Sequence, residues 1–300
     1  MDELKKSVLV PTIFFSWFKF PLTIKELRRY LWQQELSVDE LKKILRLLPG
    51  IRWENDLVWY GDVVSARQTN QHLADQFWRK VKRWRWLFSN IPFLREVFIG
   101  NTLAYDNVHH GSDIDLFIVG QTGRLWTCRA VLLVVMNWLG LRVRGQNRHA
   151  KFSPEFWVGD SMLNLRSIAI DRDYYLSFWL ADVVNVWPGG EQKRLWQANP
   201  WLKDDLPIAW RSQRVKEWPL LRSSLAAKLI ERVLRGKWGD ALERRLRSAQ
   251  RRIIKRNLAR LATHPSVLVE DNVIKLHFND RRSAVRDAIE KALSELLAEA

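Results

Sequence analysis

The sequence predicts a mixed α/β (α+β) fold in three parts: a winged-helix-like unit over residues 1–65, a mixed-sheet core over 66–190, and a basic, mainly helical region over 191–300. Three observations carry this. Two helix-start signatures are followed by a short hairpin near the N-terminus. Strand-like and helix-like apolar runs then alternate up to a break at Pro188-Gly-Gly. Beyond that break the period is helical and the charge turns strongly positive.

The elements follow in order. Lys5-Lys6 and the apolar run after it faintly resemble a signal peptide, but the run contains Pro11, continues into bulky Trp17 and Phe18, and offers no small-residue cleavage site. It is read as a packed helix. Thr23 with Glu26 forms a capping box for a helix over 24–33, and Ser37 with Glu40 forms another for 38–48, ended by Gly50. Residues 51–54 and 57–60 alternate around Asn55-Asp56 as a hairpin. This winged-helix outline serves either nucleic-acid binding or docking onto the core.

A basic, Trp-rich helix is expected over 66–90, then a strand over 96–99, a short helix over 102–107 and a strand over 114–119. The helix at 125–139 is apolar on most faces and is therefore buried. Strands near 142 and at 152–158, an apolar piece at 163–168 and a helix over 173–186 complete the core. Next come a helix over 225–261 interrupted near Gly236 and Gly239, a hairpin around Asp271-Asn272, and a final helix from 281.

Residues 99–119 carry the most chemistry. A turn at Gly100-Asn101 precedes Ser112, Asp113 and Asp115, and the apolar run 116–119 follows at once. Strand alternation puts Asp113 and Asp115 on one face. Two carboxylates so close repel unless a cation lies between them, which makes the pair a candidate Mg²⁺ site. A helix starting at Gly100-Asn101 would offer free N–H groups to a polyphosphate.

This segment resembles the signature of the polymerase-beta-type nucleotidyltransferase superfamily: a hydrophobic residue, Gly, a small polar residue, a short helix, then Asp-x-Asp on a strand. Asn101 stands where Ser or Gly is usual, and as a good N-cap it preserves the turn. Segments at 20–27, 123–129, 172–175 and 199–202 are similar to uncharacterised bacterial members. The resemblance implies a nucleotidyltransferase core over 66–190, an NTP substrate and two Mg²⁺ ions. It implies metal binding and catalysis by Asp113, Asp115 and a third carboxylate, Glu155, with Asp160 as fallback. Gly100, Asn101, Ser112 and Arg124 would contact phosphate. Ser112 is equally read as holding its turn, and Arg124 as an ordinary loop arginine.

Composition narrows the class. The formal charge is +16, and residues 211–260 hold 16 Lys or Arg against 4 Asp or Glu. An excess that acidic i, i+4 partners cannot cancel points to a polyanion, with nucleic acid favoured over an acidic membrane surface. The 17 Trp suit core packing, with base stacking open to exposed ones. One cysteine, Cys128, excludes an intrachain disulfide and a Cys-based metal site, and it suits a buried thiol in a reducing cytoplasm. His109-His110 is read as solvent-facing and His277 as structural. Two functions compete. One is a Mg²⁺-dependent enzyme moving a nucleoside monophosphate to an acceptor hydroxyl on nucleic acid or protein. The other is a weak or inactive relative serving as a nucleic-acid-binding regulator or nucleotide sensor.

Overall fold

A computed structural model describes residues 2–63, 66–188, 193–212, 216, 218–259, 267–276 and 280–298. The N-terminal unit comprises α1 (Asp2–Trp17), β1 (Leu22–Thr23), α2 (Ile24–Arg29), α3 (Val38–Leu45), β2 (Ile51–Glu54) and β3 (Leu57–Tyr60). Its three strands form an antiparallel sheet in the order β1-β3-β2. Both capping boxes are present: Thr23 Oγ1 accepts from the Glu26 N–H, Ser37 Oγ from the Glu40 N–H, and each glutamate reaches back to its cap. Helix α1 is buried almost all round, as its apolar sequence requires.

Next come α4 (Arg67–Trp84), a 3₁₀ segment (Arg85–Asn90), β4 (Leu94–Ile99), α5 (Asn101–Ala104), β5 (Ile114–Gly120), α6 (Leu125–Trp138), β6 (Phe152–Gly159), a second 3₁₀ segment (Leu165–Ile168), α7 (Tyr174–Asp182) and β7 (Val184–Trp187). The remainder is α8 (Lys193–Gln197), α9 (Leu202–Asp205), α10 (Pro207–Arg211), α11 (Leu225–Val233), α12 (Lys237–Leu258), β8 (Leu268–Val269), β9 (Val273–Lys275) and α13 (Arg282–Ala298). His277 and the end of its expected strand lie outside the described residues.

The large sheet runs β7-β4-β5-β6-β9-β8, with β5 and β6 parallel and every other pair antiparallel. Alternation divides its side chains between two cores. Phe98, Phe117, Val119, Phe156 and Val273 pack with α1, α7 and α13. Val97, Ile99, Leu116, Ile118, Trp157 and Ile274 pack with α4, α6 and α12. Cys128 is buried on α6 as expected, and burial pushes its thiol well above the ordinary range.

Several elements depart from expectation, among them the helix expected over 24–33, which ends at Arg29, and the strand expected near 142, which is a single bridge from Arg142 to Phe152. The helix expected over 173–186 stops at Asp182, because Val183, Val184 and Val186 are β-branched and fit an edge strand better than a helix. The 225–261 segment is interrupted at Gly236 as expected, where a φ of 86° suits glycine, but Gly239 lies inside the second helix. The helix expected over 102–107 is a single turn.

Asp182 ties the N-terminal unit to α7. Its carboxylate is fully buried and accepts from Arg29 Nη1 and Tyr30 Oη, both at 2.6 Å. Removing one member of a buried pair strands the other charge. We predict that Asp182→Ala lowers the unfolding free energy by about 3 kcal/mol, read from urea denaturation; an unchanged midpoint would refute this role.

Candidate functional site

The site is built where β4, β5 and β6 meet. Strand β4 ends at Ile99, and the chain turns sharply at Gly100 and Asn101. Gly100 is set by close packing: a Cβ there would stand 2.5 Å from Trp179 Nε1. Its N–H donates to the Asp115 carbonyl at 3.3 Å, which fixes the turn against the mouth of β5. Asn101 takes the left-handed conformation, φ 54°, which asparagine tolerates better than most residues.

Asp113 and Asp115 enter from β5 and Glu155 from β6, and all three line one cavity of about 460 Å³. Glu155 reaches it through a bulge. Asp115 pairs with Ser153 but Phe117 with Phe156, so β6 carries one residue more than β5 across this step. Strict alternation from Phe156 would have turned Glu155 to the opposite face.

The three carboxylates share a strained electrostatic setting. Burial, followed by the charge of Asp113, raises Asp115 from its ordinary 3.8 to about 7, although Asn101 Nδ2 donates to its Oδ2 at 2.8 Å. Glu155 is also raised, first by burial and then by Asp113. Arg148, whose side chain is 53% exposed, donates from Nη2 to Asp113 Oδ2 at 2.8 Å. Among the described residues, no three His, Cys, Asp or Glu side chains converge closely enough to enclose a metal ion as they stand.

Other expected site residues take different positions. Ser112 borders the cavity, but its Oγ accepts from the His109 N–H at 3.0 Å and so closes the 109–112 turn. Asn101 does not act as an N-cap. Gly100 occupies that position, while the Asn101 amide bonds Asp115 and accepts from Tyr175 Oη at 3.0 Å. With one helical turn behind it, the expected phosphate cradle shrinks to the turn itself. Arg124 lies past the far end of β5, roughly 20 Å of strand away from Asp115. There it pairs with Asp240 Oδ1 at 2.6 Å and bonds the Leu234 carbonyl, which removes it from the site. Asp160 is at that same far end, where its Oδ1 accepts from the Thr122 N–H and Oγ1, so it is no fallback ligand. His109 Nδ1 accepts from the Gly111 N–H, and His110 stacks against His149.

Several cavity residues escaped the sequence reading. Arg148 follows a polar loop with no local signal. Tyr175 lies in the Arg172-Asp-Tyr-Tyr segment, which drew notice only through the resemblance. Lys275 and Arg282 reach the cavity from the C-terminal region and converge on Asp280: Lys275 Nζ donates to it at 2.6 Å, and Arg282 Nη2 at 2.8 Å. Burial alone would raise Asp280, yet these bonds hold its carboxyl far below the usual range. Arg282 Nη1 also bonds Asp173 Oδ2, the N-cap of α7, at 3.0 Å. Only long-range contacts, such as that of Arg282 with Asp173, bring these residues to the cavity, and sequence periodicity does not report them.

Acids in and beside the basic region are taken up by neighbouring groups. Glu243 accepts the N–H groups of Trp126 and Thr127 at the start of α6, and Asp271 pairs with Arg247 and Arg251. Arg244, Arg245 and Arg252 are left exposed around a surface depression on α12. Among the described residues no helix is long and apolar enough to cross a membrane. No family model, curated protein or solved structure matches this chain.

The raised Asp115 has a consequence for stability. The native state keeps this proton where the unfolded chain has lost it. The group's contribution is therefore complete below pH 3.8 and is lost as pH rises through about 7. We predict that Asp115→Asn flattens the fall in stability across that window, measured as urea midpoints in EDTA from pH 4 to pH 8. An identical pH slope in the variant would show that Asp115 is not the titrating group.

Proposed function

We propose that the chain has a polymerase-beta-type nucleotidyltransferase core and is a Mg²⁺-dependent nucleotidyltransferase, moving a nucleoside monophosphate from an NTP to an acceptor hydroxyl. The observation that carries this reading is the meeting of Asp113, Asp115 and Glu155, from two adjacent parallel strands, in one cavity beside the Gly100 turn. The antiparallel pairing of β4 with β5 across that turn supports it. So does the N-terminal grouping of three helices with a small antiparallel sheet, which suits the winged-helix reading.

The donor set fits a hard divalent cation. All three groups are carboxylates; burial first and then the charge of Asp113 raise Asp115 and Glu155, and the repulsive part is relieved by positive charge among them. To hold such an ion, Asp113 would exchange its bond to Arg148, whose side chain is half-exposed. Magnesium, when bound, supplies charge neutralisation to the triphosphate and a more acidic acceptor hydroxyl.

The chain's own residues do the rest. Asp113 and Asp115 would hold the ion. Glu155 would add a third ligand, and its burial, which raises its proton affinity, suits it to receive the hydroxyl proton. The acceptor oxygen bonds the α-phosphorus as the bond to pyrophosphate breaks. Arg148 and Arg281 border the cavity and suit polyphosphate oxygens. Tyr175 and Trp179 wall the site and limit water.

One observation favours the second reading, a nucleotide sensor or nucleic-acid-binding regulator. Asp113 and Asp115 are each already satisfied by a protein donor, Arg148 and Asn101. That reading assigns the exposed α12 arginines to nucleic-acid phosphates and predicts binding that weakens steeply with salt and ignores Asp113.

The deciding experiment follows label from α-³²P NTPs into total cellular RNA or protein. We predict Mg²⁺-dependent transfer, reduced at least about 100-fold in Asp113→Asn/Asp115→Asn, as expected where several kcal/mol of charge stabilisation is lost. Glu155→Gln should retain the fold and lose at least about tenfold. Full activity in the double variant would place the chemistry elsewhere. No transfer with any NTP, alongside measurable nucleotide binding in EDTA, would establish the sensor reading.

A further inference from the structure

Helix α11 is amphipathic in the wrong sense for a helix packed on a core. Leu225, Leu229 and Val233 recur every four residues, and they are 84%, 63% and 66% exposed. At roughly 100° per residue they form one ridge, opposite the side that carries buried Ala227 and inward-turned Glu231. Trp238, at the start of α12, is 85% exposed. The 3₁₀ segment 85–90, against which α11 packs, exposes Trp86 as well. Burying this ridge would be favourable, and nothing within the described chain covers it.

Its charge is one-sided. Lys228, Arg232, Arg235 and Lys237 are exposed around the ridge. Across residues 218–239 the only carboxylate is Glu231, which is spent on the Phe93 N–H and Arg95. The surface therefore combines apolar side chains, an exposed tryptophan and unopposed cations.

We propose that the α11 ridge with Trp238 docks on an anionic lipid bilayer, lying in its interface and not crossing it. Charge complementarity selects the occupant. An acidic headgroup layer takes the lysines and arginines, and the acyl boundary beneath takes Leu225, Leu229 and Val233. Tryptophan is the side chain best suited to the boundary between the two. Nucleic acid would satisfy the cations and could stack on Trp238, but it has no use for an aliphatic ridge. No helix among the described residues can span the bilayer, so the association is peripheral.

The test is cosedimentation of the full chain with vesicles of phosphatidylcholine alone and of phosphatidylcholine with phosphatidylglycerol in equal parts. The wild type should bind the anionic vesicles, lose binding as salt rises, and leave the neutral vesicles largely free. Leu229→Ser/Val233→Ser/Trp238→Ser should weaken partition at least about tenfold. Lys228→Glu/Arg232→Glu should weaken it comparably. All five side chains are exposed, so unchanged circular dichroism and thermal melting are expected in both variants. Failure to bind anionic vesicles, or equal binding by the triple-serine variant, would overturn the proposal. So would RNA binding that the triple-serine change abolishes while vesicles are ignored, because the ridge would then belong to nucleic acid.

Discussion

Burial of both faces of β5 is the constraint on which the rest of the structure depends. Leu116 and Ile118 point into one core, Phe117 and Val119 into the other, and all four are essentially out of water. Each such side chain contributes about 1.5–3 kcal/mol by burial. The strand can therefore hold polar groups only at its mouth, which is where Asp113 and Asp115 stand. The gain along β5 outweighs the cost of crowding carboxylates at its end, and that imbalance lets the cavity keep raised, mutually repelling acids. The parallel neighbour β6 brings Glu155 to the same mouth, because parallel strands start together on one edge.

Covering β5 on both sides also decides where the ends of the chain go. The N-terminal unit is held by α1 against α13 and by Asp182 against Arg29 and Tyr30. Helix α13 in turn anchors through Arg282 to Asp173, so the cavity wall joins segments more than 100 residues apart. Strands β8 and β9 add to the sheet that began at β4, and the basic region reaches back through Glu243 to cap α6. The sheet, the N-terminal unit and the C-terminal region thus share two continuous cores.

What could be read from the sequence follows the range of the forces involved. Capping boxes at Thr23 and Ser37, the hairpin around Asn55-Asp56 and the apolar run of β5 are local, and their residues lie within a few positions of one another. The site was legible to the same extent: the Gly100 turn and the Asp113/Asp115 spacing are contiguous. Glu155 was legible as a residue but not as a position, since its facing depends on a bulge that no alternation pattern shows. Arg148, Lys275 and Arg282 were invisible because tertiary contacts alone bring them in. Arg124 misled for the converse reason, since sequence proximity to β5 placed it at the wrong end of the strand. The helix at 173–186 failed where β propensity in Val183, Val184 and Val186 met an open sheet edge beside β4.

The two protein donors at the acids are not equivalent, and their difference bears on the choice between catalysis and binding. Asn101 is fixed on both sides, by Asp115 and by Tyr175, in a backbone conformation that few other side chains tolerate. It leaves the second oxygen of Asp115 unclaimed by any described partner. Arg148 is half-exposed, and an ion pair of that kind is worth little in water. A divalent cation among Asp113, Asp115 and Glu155 would offset three repelling charges at once, whereas the guanidinium offsets mainly one. The weaker contact is thus the one that has to yield, and the stronger one orients the carboxylate left in place. This asymmetry favours the enzyme reading over the sensor: a site built only to satisfy its acids would have no reason to leave Asp113 to a half-exposed arginine.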